Sequence, residues 1–514
     1  MRADAVAAPA PPTLTRRASL NAVQALLDYA AKLGVGLIVT PILLDGLGRS
    51  LFGVWEMLGR LISYMSATDG RPTEALRLVI ATKQATHDPM AHRRAVGSAL
   101  VVWLLFLPLL AGVGAVLVWL SPLVTKVPPS LHATVRIVSA ALVLTLLIGG
   151  LSSIPESVLR GMNLGYKRMG FQAGLNVLGG LLTAGAIYAG LGMVGVAGAQ
   201  VVLTALTGIG FWVLVRQYIP WFGAARPSRS EVRSLVGMSA WLAAGEMIAK
   251  LSLASDVIIL GMVVSSSVVT TYVLTGYAAR VALGVHLFAV GAAMPGLGGV
   301  IGLGQYERAA ELRREILSLT WLSIAAVGAT MLVWNRSFLG LWVGAVNYAG
   351  PWVNLLIVLI TAQTALLRSD AFVLDAILRP RQRVVVGVVA TALIIVVSLA
   401  LTPSLGMVGV CLGLISGRLA QSVAYPMLVN TGLRRPSRLA LRSVGRPAAV
   451  MALLFAGAVA LSERVVAATW GSWLAGTALT LVVSLAIAFW GGMPASTRQQ
   501  VVGRLRGIVG GGPV

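Results

Sequence analysis

Charged residues are scarce in this sequence. Lys, Arg, Asp and Glu together make up 11% of the 514 residues, whereas a soluble domain usually carries about a quarter. Hydrophobic residues make up 57%, and the mean hydropathy is +0.87. This composition excludes a soluble globular protein and predicts an all-α polytopic membrane protein.

Cysteine and the common catalytic motifs are also lacking. The single cysteine, Cys411, excludes an intramolecular disulfide and a metal site built from cysteines. No G-x-x-x-x-G-K-[ST] loop, G-x-S-x-G elbow or H-E-x-x-H motif occurs. His87 and His92 have no third ligand beside them, and the connections between apolar runs are too short for a soluble catalytic domain. We expect no catalytic residue, no metal, no cofactor and no direct use of ATP.

Acidic residues are few, 17 against 40 basic ones, and the net charge is +23. The basic residues stand in short clusters between apolar runs, without interleaved aromatics, so we expect no nucleic-acid partner. With the N-terminus in the cytoplasm, 29 of the 40 fall on cytoplasmic connections and five on outer ones. This asymmetry predicts a multi-pass protein of the bacterial inner membrane with both termini in the cytoplasm. The predicted spans are 19–44, 49–68, 97–120, 132–159, 169–190, 192–215, 234–262, 267–300, 315–334, 349–377, 384–402, 405–429, 446–463 and 469–490.

One six-residue segment occurs twice. Leu-Gly-Met-Val-Gly-Val fills 191–196 and again 405–410, and each copy opens a predicted span, the sixth and the twelfth. An even number of spans per copy means that both copies enter the membrane from the same side. We therefore predict about 14 transmembrane helices, in two pseudo-symmetric six-helix lobes plus a C-terminal pair. The expected parts are a cytoplasmic tail (1–18), an N-lobe (19–216), a cytoplasmic linker (217–233), a C-lobe (234–430), a helix pair (446–490) and a cytoplasmic tail (491–514).

Charged residues inside the predicted spans follow a repeated pattern. An acid precedes a base by four residues, one helical turn, in Asp28/Lys32, in Glu56/Arg60 and in Glu246/Lys250. Charge in the hydrocarbon core costs roughly 2.5–3.5 kcal/mol per residue. The bases that lie within spans are Lys32, Arg60, Lys250, Arg280, Arg368 and Arg418.

These bases have two possible roles. They can be structural ion pairs, and Arg368, which is close to Asp370 and Asp375, fits a clamp of this kind. They can also bind a ligand, and a surplus of bases favours an anion such as phosphate or pyrophosphate. Arg280 has no acid four residues away, and Asp256 is its possible partner across the bundle. The candidate substrate-binding residues are Lys32, Arg60, Lys250, Arg280 and Arg418, and the candidate orienting or ion-coupling carboxylates are Asp28, Glu56, Glu246 and Asp256.

The run at 40–48, Thr-Pro-Ile-Leu-Leu-Asp-Gly-Leu-Gly, then Phe-Gly-Val-Trp at 52–55 and the repeated Leu-Gly-Met-Val-Gly-Val segment, resembles one known family. The family is the polysaccharide/O-antigen flippase branch of the multidrug/oligosaccharidyl-lipid/polysaccharide exporter superfamily, and the likeness covers about 19–430. The resemblance implies a V-shaped pair of bundles around a central cavity, rocking alternating access, and cationic residues from helices one, two, seven and eight. It implies a polyprenyl-pyrophosphate-linked oligosaccharide as cargo. Possible partners are H⁺ or Na⁺ and polysaccharide polymerases or glycosyltransferases.

Other functions stay open at this point. A lipid II-type flippase and a cation-coupled drug exporter belong to the same superfamily, and the cationic surplus disfavours the drug exporter. A non-transporting membrane scaffold would need no repeated buried charges. A membrane glycosyltransferase would need a carboxylate-bearing loop outside the core, and no connection is long enough.

Overall fold

The computed structural model describes residues 14–69, 71–83, 88–168, 170–292, 294–377, 380–435, 441–493 and 498–499. Most of the predicted tails, 1–18 and 491–514, lies outside these ranges. The described residues form helices and turns without strands. The helices are α1 Leu14–Met65, α2 Pro72–Lys83, α3 Pro89–Thr125, α4 His132–Gly161, α5 Phe171–Tyr188, α6 Gly192–Tyr218, α7 Arg229–Val263, α8 Ser266–Thr275, α9 Tyr277–Ala292, α10 Met294–Gly302, α11 Tyr306–Trp342, α12 Pro351–Ala376, α13 Pro380–Leu405, α14 Met407–Gly432, α15 Leu441–Ser462 and α16 Trp470–Ile487.

Within the described ranges, eleven helices are long and apolar enough to cross a membrane. The pair α8 and α9, bent by 48° at the break between them, raises the number to twelve if it forms one span. The all-helical prediction is confirmed. About fourteen spans are compatible with the count of eleven or twelve, because two of the predicted spans are not counted separately. The long α1 contains both of the first two predicted spans and is counted once. Helix α7 is the predicted seventh span, and it is not counted because its charged residues lower its hydropathy.

Glycines with positive φ mark the turns between paired spans. Gly48 interrupts α1 with φ 73° and ψ 166°, in the left-handed half of the map that favours glycine. The repeated segment places glycines in the same region: Gly192 has φ 54° at the start of α6, and Gly406 has φ 53° before α14. A Cβ on Gly409 would lie 2.7 Å from the Thr402 amide nitrogen, so α13 and α14 approach closely there. The repeat therefore encodes the same turn into a helix in both copies.

The described helices form two compact units. The first comprises residues 1–47, 61–122 and 127–247, and the second comprises 48–60, 123–126 and 248–514. The unit boundaries fall inside α1, α3 and α7 and just after α3, so they differ from the predicted lobe boundaries, which stay a prediction.

Each unit has its own apolar core. In the first unit, buried residues of α2, α3, α4 and α6 pack together, among them Leu76, Leu159 and Phe211. In the second unit, the largest core joins the α1 residue Met57 to residues of α7, α8, α12, α13 and α14, including Leu260. Close-packed cores of this kind fix the positions of the polar groups that they surround.

The C-terminal pair α15 and α16 packs against α11 within the second unit. Nε1 of Trp334 donates a hydrogen bond to Oγ1 of Thr480 at 2.9 Å, and Trp473 donates to the Trp334 carbonyl at 3.3 Å. Phe338 stacks near Trp473 with ring centroids 5.6 Å apart. These aromatic side chains, two of which also donate hydrogen bonds, hold α16 against α11.

The cytoplasm-facing start of α7, as predicted from the charge pattern, is fixed by a capping box. The Glu231 carboxylate accepts hydrogen bonds from the Ser228 amide at 2.9 Å and hydroxyl at 3.0 Å, and the Glu231 amide donates to that hydroxyl at 3.2 Å. The Ser228 amide lowers the pKa of Glu231. Because the folded-state pKa is depressed, this cap stabilises the protein above the ordinary carboxyl pKa and is lost as the pH falls through the lowered value.

Candidate functional site

A cavity of about 200 Å³ lies within the second unit and is lined by four of the nine charged residues that the sequence singled out as a candidate site. Its walls come from α1 after the Gly48 break and from α7, α8, α9, α12 and α14. Among the lining residues, the polar ones are Arg60, Asp256, Tyr272, Arg280, Thr361, Thr364 and Arg418. We call this the cationic cavity, because three guanidinium groups and one carboxylate line it.

Arg418 forms the buried floor of the cationic cavity. Only 4% of its surface is exposed. Its Nη1 donates to Oγ1 of Thr364 at 2.7 Å, and its Nη2 donates to the Ser252 carbonyl at 3.4 Å. Both partners are neutral, and in the described part of the chain no carboxylate forms an ion pair with this arginine. A buried charge held by neutral acceptors keeps its field available to an anionic ligand.

Arg280 lies at the break between α8 and α9. Its Nη2 donates to the Val273 carbonyl at 2.7 Å, close to the end of α8. Carbonyls at a helix C-terminus lack intrahelical partners and carry partial negative charge, so a cation there is favoured. A Cβ on Gly276 would lie 3.3 Å from Nη1, so a larger residue at the break would crowd the guanidinium group of Arg280. The break therefore positions Arg280, whose side chain remains accessible to solvent.

Arg60 and Asp256 complete the charged lining. Nε of Arg60 is buried and has no hydrogen-bond partner among the described residues. Asp256 accepts hydrogen bonds from the Tyr272 hydroxyl at 2.9 Å and from the Val257 amide at 2.8 Å. The charges that act on Arg280 include Arg60, Asp256 and Glu56, although Glu56 is not part of the lining. Bases outnumber acids here, so the arrangement is suited to binding an anion.

The other predicted site residues lie elsewhere. Lys32 is exposed and belongs to the first unit, and Lys250 belongs to the second unit but does not line the cationic cavity. Within the described residues, Asp28 makes no ion pair with Lys32. Asp28 accepts a hydrogen bond from Gln24 and lies 4.0 Å from Arg168. The four-residue spacing therefore misidentified the partner of Asp28.

Two further acids form ion pairs with bases that are distant in the sequence. Glu246 pairs with Arg71 at 3.3 Å within the first unit. Asp370 pairs with Arg313, from Nε to Oδ1 at 2.7 Å and from Nη2 to Oδ2 at 3.0 Å, rather than with the predicted Arg368. The pairing is bidentate because the guanidinium fork matches the two carboxylate oxygens.

Three polar residues of the cavity were not predicted from the sequence. Tyr272, Thr361 and Thr364 belong to α8 and α12, and none is charged. Thr361 and Thr364 are three residues apart, the spacing of one helix face. Threonines at this spacing are common in apolar helices. The pair therefore indicates a binding site only once the position of Arg418 beside it is known.

Neutralising Glu246 is expected to have a small effect. We expect Glu246→Gln to lower the free energy of unfolding by about 0.2–1 kcal/mol, because the pair with Arg71 is partly exposed and partly screened. Thermal unfolding of the purified protein in detergent measures it, and Arg71→Gln is the matched variant. A loss of transport with unchanged stability would instead place Glu246 in the transport mechanism.

The chain has the fold of the MATE transporters. An inward-facing multidrug resistance MATE family transporter of the MOP superfamily has TM-score 0.61 at 13% identity over 83% of this chain and 97% of that one. The eukaryotic MATE transporter AtDTX14 has TM-score 0.61 at 13% identity over 82% and 97%. An outward-facing MATE family transporter has TM-score 0.58 at 14% identity over 82% and 99%. At these identities the likeness concerns the fold alone.

A family profile described as "Polysaccharide biosynthesis protein" matches residues 85–299. No curated protein sequence is similar enough to match the chain. The profile match, which covers less than half of the chain, and the shared fold support the resemblance that the sequence indicated. A multi-pass membrane protein of a transporter fold is therefore established.

Proposed function

We propose that this chain is a flippase that moves a polyprenyl-pyrophosphate-linked oligosaccharide across the bacterial inner membrane by alternating access. One observation carries the proposal: Arg60, Arg280 and Arg418 line a single cavity that holds one carboxylate. A transporter fold and a polysaccharide-biosynthesis profile support an exporter of this general kind. The cation surplus supports the pyrophosphate-bearing cargo.

The three arginines would hold the pyrophosphate by charge and by geometry. A guanidinium group presents parallel N–H donors that match two phosphoryl oxygens. Arg418 is fixed by Thr364, and Arg280 by the Val273 carbonyl, so both are oriented before the ligand arrives. Preorganised donors lose little entropy on binding. The sugar would cross through hydrated space, and the lipid chain would stay in apolar surroundings.

Asp256 provides a way to couple transport to a cation. Its carboxylate lies in the same cavity as the arginines and opposes an anionic ligand. A cation bound at Asp256 would neutralise that opposition. The Tyr272 hydroxyl, which donates to Asp256, would hold the side chain in place. We propose Asp256 as the residue that binds the coupling ion, H⁺ or Na⁺.

A drug exporter is the second candidate, because two of the structural neighbours are multidrug resistance transporters. Such a protein would take cationic compounds into its cavity. The lining has three arginines and one aspartate, so its charge is positive overall and repels a cation. The electrostatics of this cavity therefore favour the anionic cargo.

The test is transport by the purified protein in proteoliposomes. A fluorescent polyprenyl-pyrophosphate-linked oligosaccharide should become accessible to an externally added quencher faster than in empty liposomes. A cationic fluorescent dye should not be accumulated. The opposite pattern would identify a drug exporter, and movement of neither would leave a non-transporting membrane protein.

The charge asymmetry gives a topology prediction. With Cys411 replaced by serine, a cysteine at Lys83 should stay unlabelled by an impermeant thiol reagent in intact spheroplasts, because it faces the cytoplasm. A cysteine at Lys126 should be labelled, because it faces the periplasm. Permeabilised spheroplasts, in which both positions should react, are the control. Labelling at position 83 but not at 126 in intact spheroplasts would reverse the orientation.

A further inference from the structure

A second cavity, of about 360 Å³, lies in the same unit between α9, α11 and α12. Its lining is almost entirely carbon, from residues such as Ala289, Val290, Ile324, Val327 and Met331. We call it the apolar cavity. The cavity is open on one side, where Val285 and Leu319 are exposed, and its volume is within the range of ligand sites, about 300–1,000 Å³.

The hydroxyl groups in the lining of the apolar cavity bond to their own helices. Thr320 donates to the Ile316 carbonyl at 2.8 Å, and Ser323 donates to the Thr320 carbonyl at 3.0 Å. Thr361 donates to the Ile357 carbonyl at 2.8 Å. These hydroxyls need no partner from a ligand. His286 also lines the cavity, and its buried Nε2 has no hydrogen-bond partner among the described residues, so an apolar chain there covers one polar atom that is already unsatisfied.

The apolar cavity adjoins the cationic cavity. Leu283 of α9 and Thr361 of α12 belong to the lining of both. A ligand that spans the two needs an anionic group at one end and a hydrocarbon chain at the other. That combination is the chemistry of a lipid pyrophosphate.

We propose that the apolar cavity binds the isoprene units next to the pyrophosphate of the cargo lipid while the cationic cavity binds the pyrophosphate. The proposal rests on the proposed function, since it takes the pyrophosphate to lie among Arg60, Arg280 and Arg418. It adds a second subsite, formed by α9, α11 and α12. This subsite selects a polyprenyl carrier over a water-soluble sugar pyrophosphate.

The test compares two probes on the full chain in nanodiscs of phosphatidylcholine. Farnesyl pyrophosphate carries three isoprene units, and inorganic pyrophosphate carries none. By calorimetry, wild-type protein should bind farnesyl pyrophosphate about tenfold more tightly, equal to about 1.4 kcal/mol. Ala289→Trp, from α9, and Ser323→Trp, from α11, should each remove this difference by filling the apolar cavity, and leave inorganic pyrophosphate binding unchanged.

The matched control is Ala140→Trp. Ala140 lines another open apolar groove, between α3 and α4, which shares no lining residue with the cationic cavity. This variant should keep the tenfold difference, and melting temperatures show whether all three variants fold.

The outcomes separate the two proposals. If folded Ala289→Trp and Ser323→Trp proteins keep the tenfold difference, the lipid chain binds elsewhere and the subsite is wrong. If Ala140→Trp loses it as well, the probe reports general lipid contact and the subsite is likewise wrong. If wild-type protein binds neither pyrophosphate, the proposed function fails, and this subsite fails with it.

Discussion

Arg280→Gln should reduce flipping of the lipid-linked oligosaccharide by about 10- to 150-fold, which corresponds to the loss of about 1.5–3 kcal/mol for a hydrogen bond to a charged group. Glutamine stays polar but loses both the charge and the reach of the Nη2 donor to the Val273 carbonyl. The initial rate in proteoliposomes measures the effect. Arg280→Lys should recover part of the rate, because an ammonium keeps the charge but not the guanidinium fork.

The control for Arg280→Gln is Arg136→Gln. Arg136 is an exposed arginine of α4 in the first unit and lines an apolar groove without acting on the cationic cavity. Its replacement should leave the rate within about twofold of the wild type, a shift near the ordinary scatter of surface substitutions. Equal losses in both variants would mean that any arginine loss impairs the protein, and the assignment of Arg280 would be wrong.

Asp370→Asn should cause the largest loss of stability, about 3–5 kcal/mol in the free energy of unfolding. The carboxylate is buried and held by Arg313, whose Nη1 also donates to the Asn430 side chain at 3.0 Å. Removing one partner leaves the arginine buried without its counter-charge. Chemical denaturation in detergent measures the change.

The double variant Arg313→Met/Asp370→Leu separates a clamp from a binding group. With both charges gone, no buried charge is left unpaired, so stability should recover most of the loss of Asp370→Asn. Flipping should then also recover, since this pair lies outside the cationic cavity. A folded double variant without transport would give the pair a part in the transport cycle.

The sequence predicted the fold well because the signals were long and periodic. Apolar runs, the repeated segment at 191–196 and 405–410, and the charge asymmetry all indicated a two-part helical membrane protein. Gly192 and Gly406 explain the repeat in physical terms, since both adopt positive φ where a helix begins. The segment recurs because the turn that it encodes recurs.

The candidate site was predictable only in part. Intramembrane charge is costly, and that cost pointed to Arg60, Arg280 and Arg418. The four-residue spacing predicted the wrong partner for Asp28. Spacing within one helix cannot identify residues from other segments, and here Arg168 of another segment lies close to Asp28. For the same reason, Thr364 could not be predicted as the neutral hydrogen-bond partner of Arg418. Long-range partners have to be read from the structure.

The most direct measurement is the affinity of inorganic pyrophosphate for wild-type protein, Asp256→Asn and Arg60→Gln, by calorimetry at constant ionic strength. An anion-binding cavity predicts opposite changes. Asp256→Asn should tighten binding severalfold, because it removes the negative charge that opposes the ligand and keeps an acceptor for the Tyr272 hydroxyl. Arg60→Gln should weaken binding. Weaker binding in Asp256→Asn with unchanged binding in Arg60→Gln, or no binding by any of the three proteins, would contradict the account.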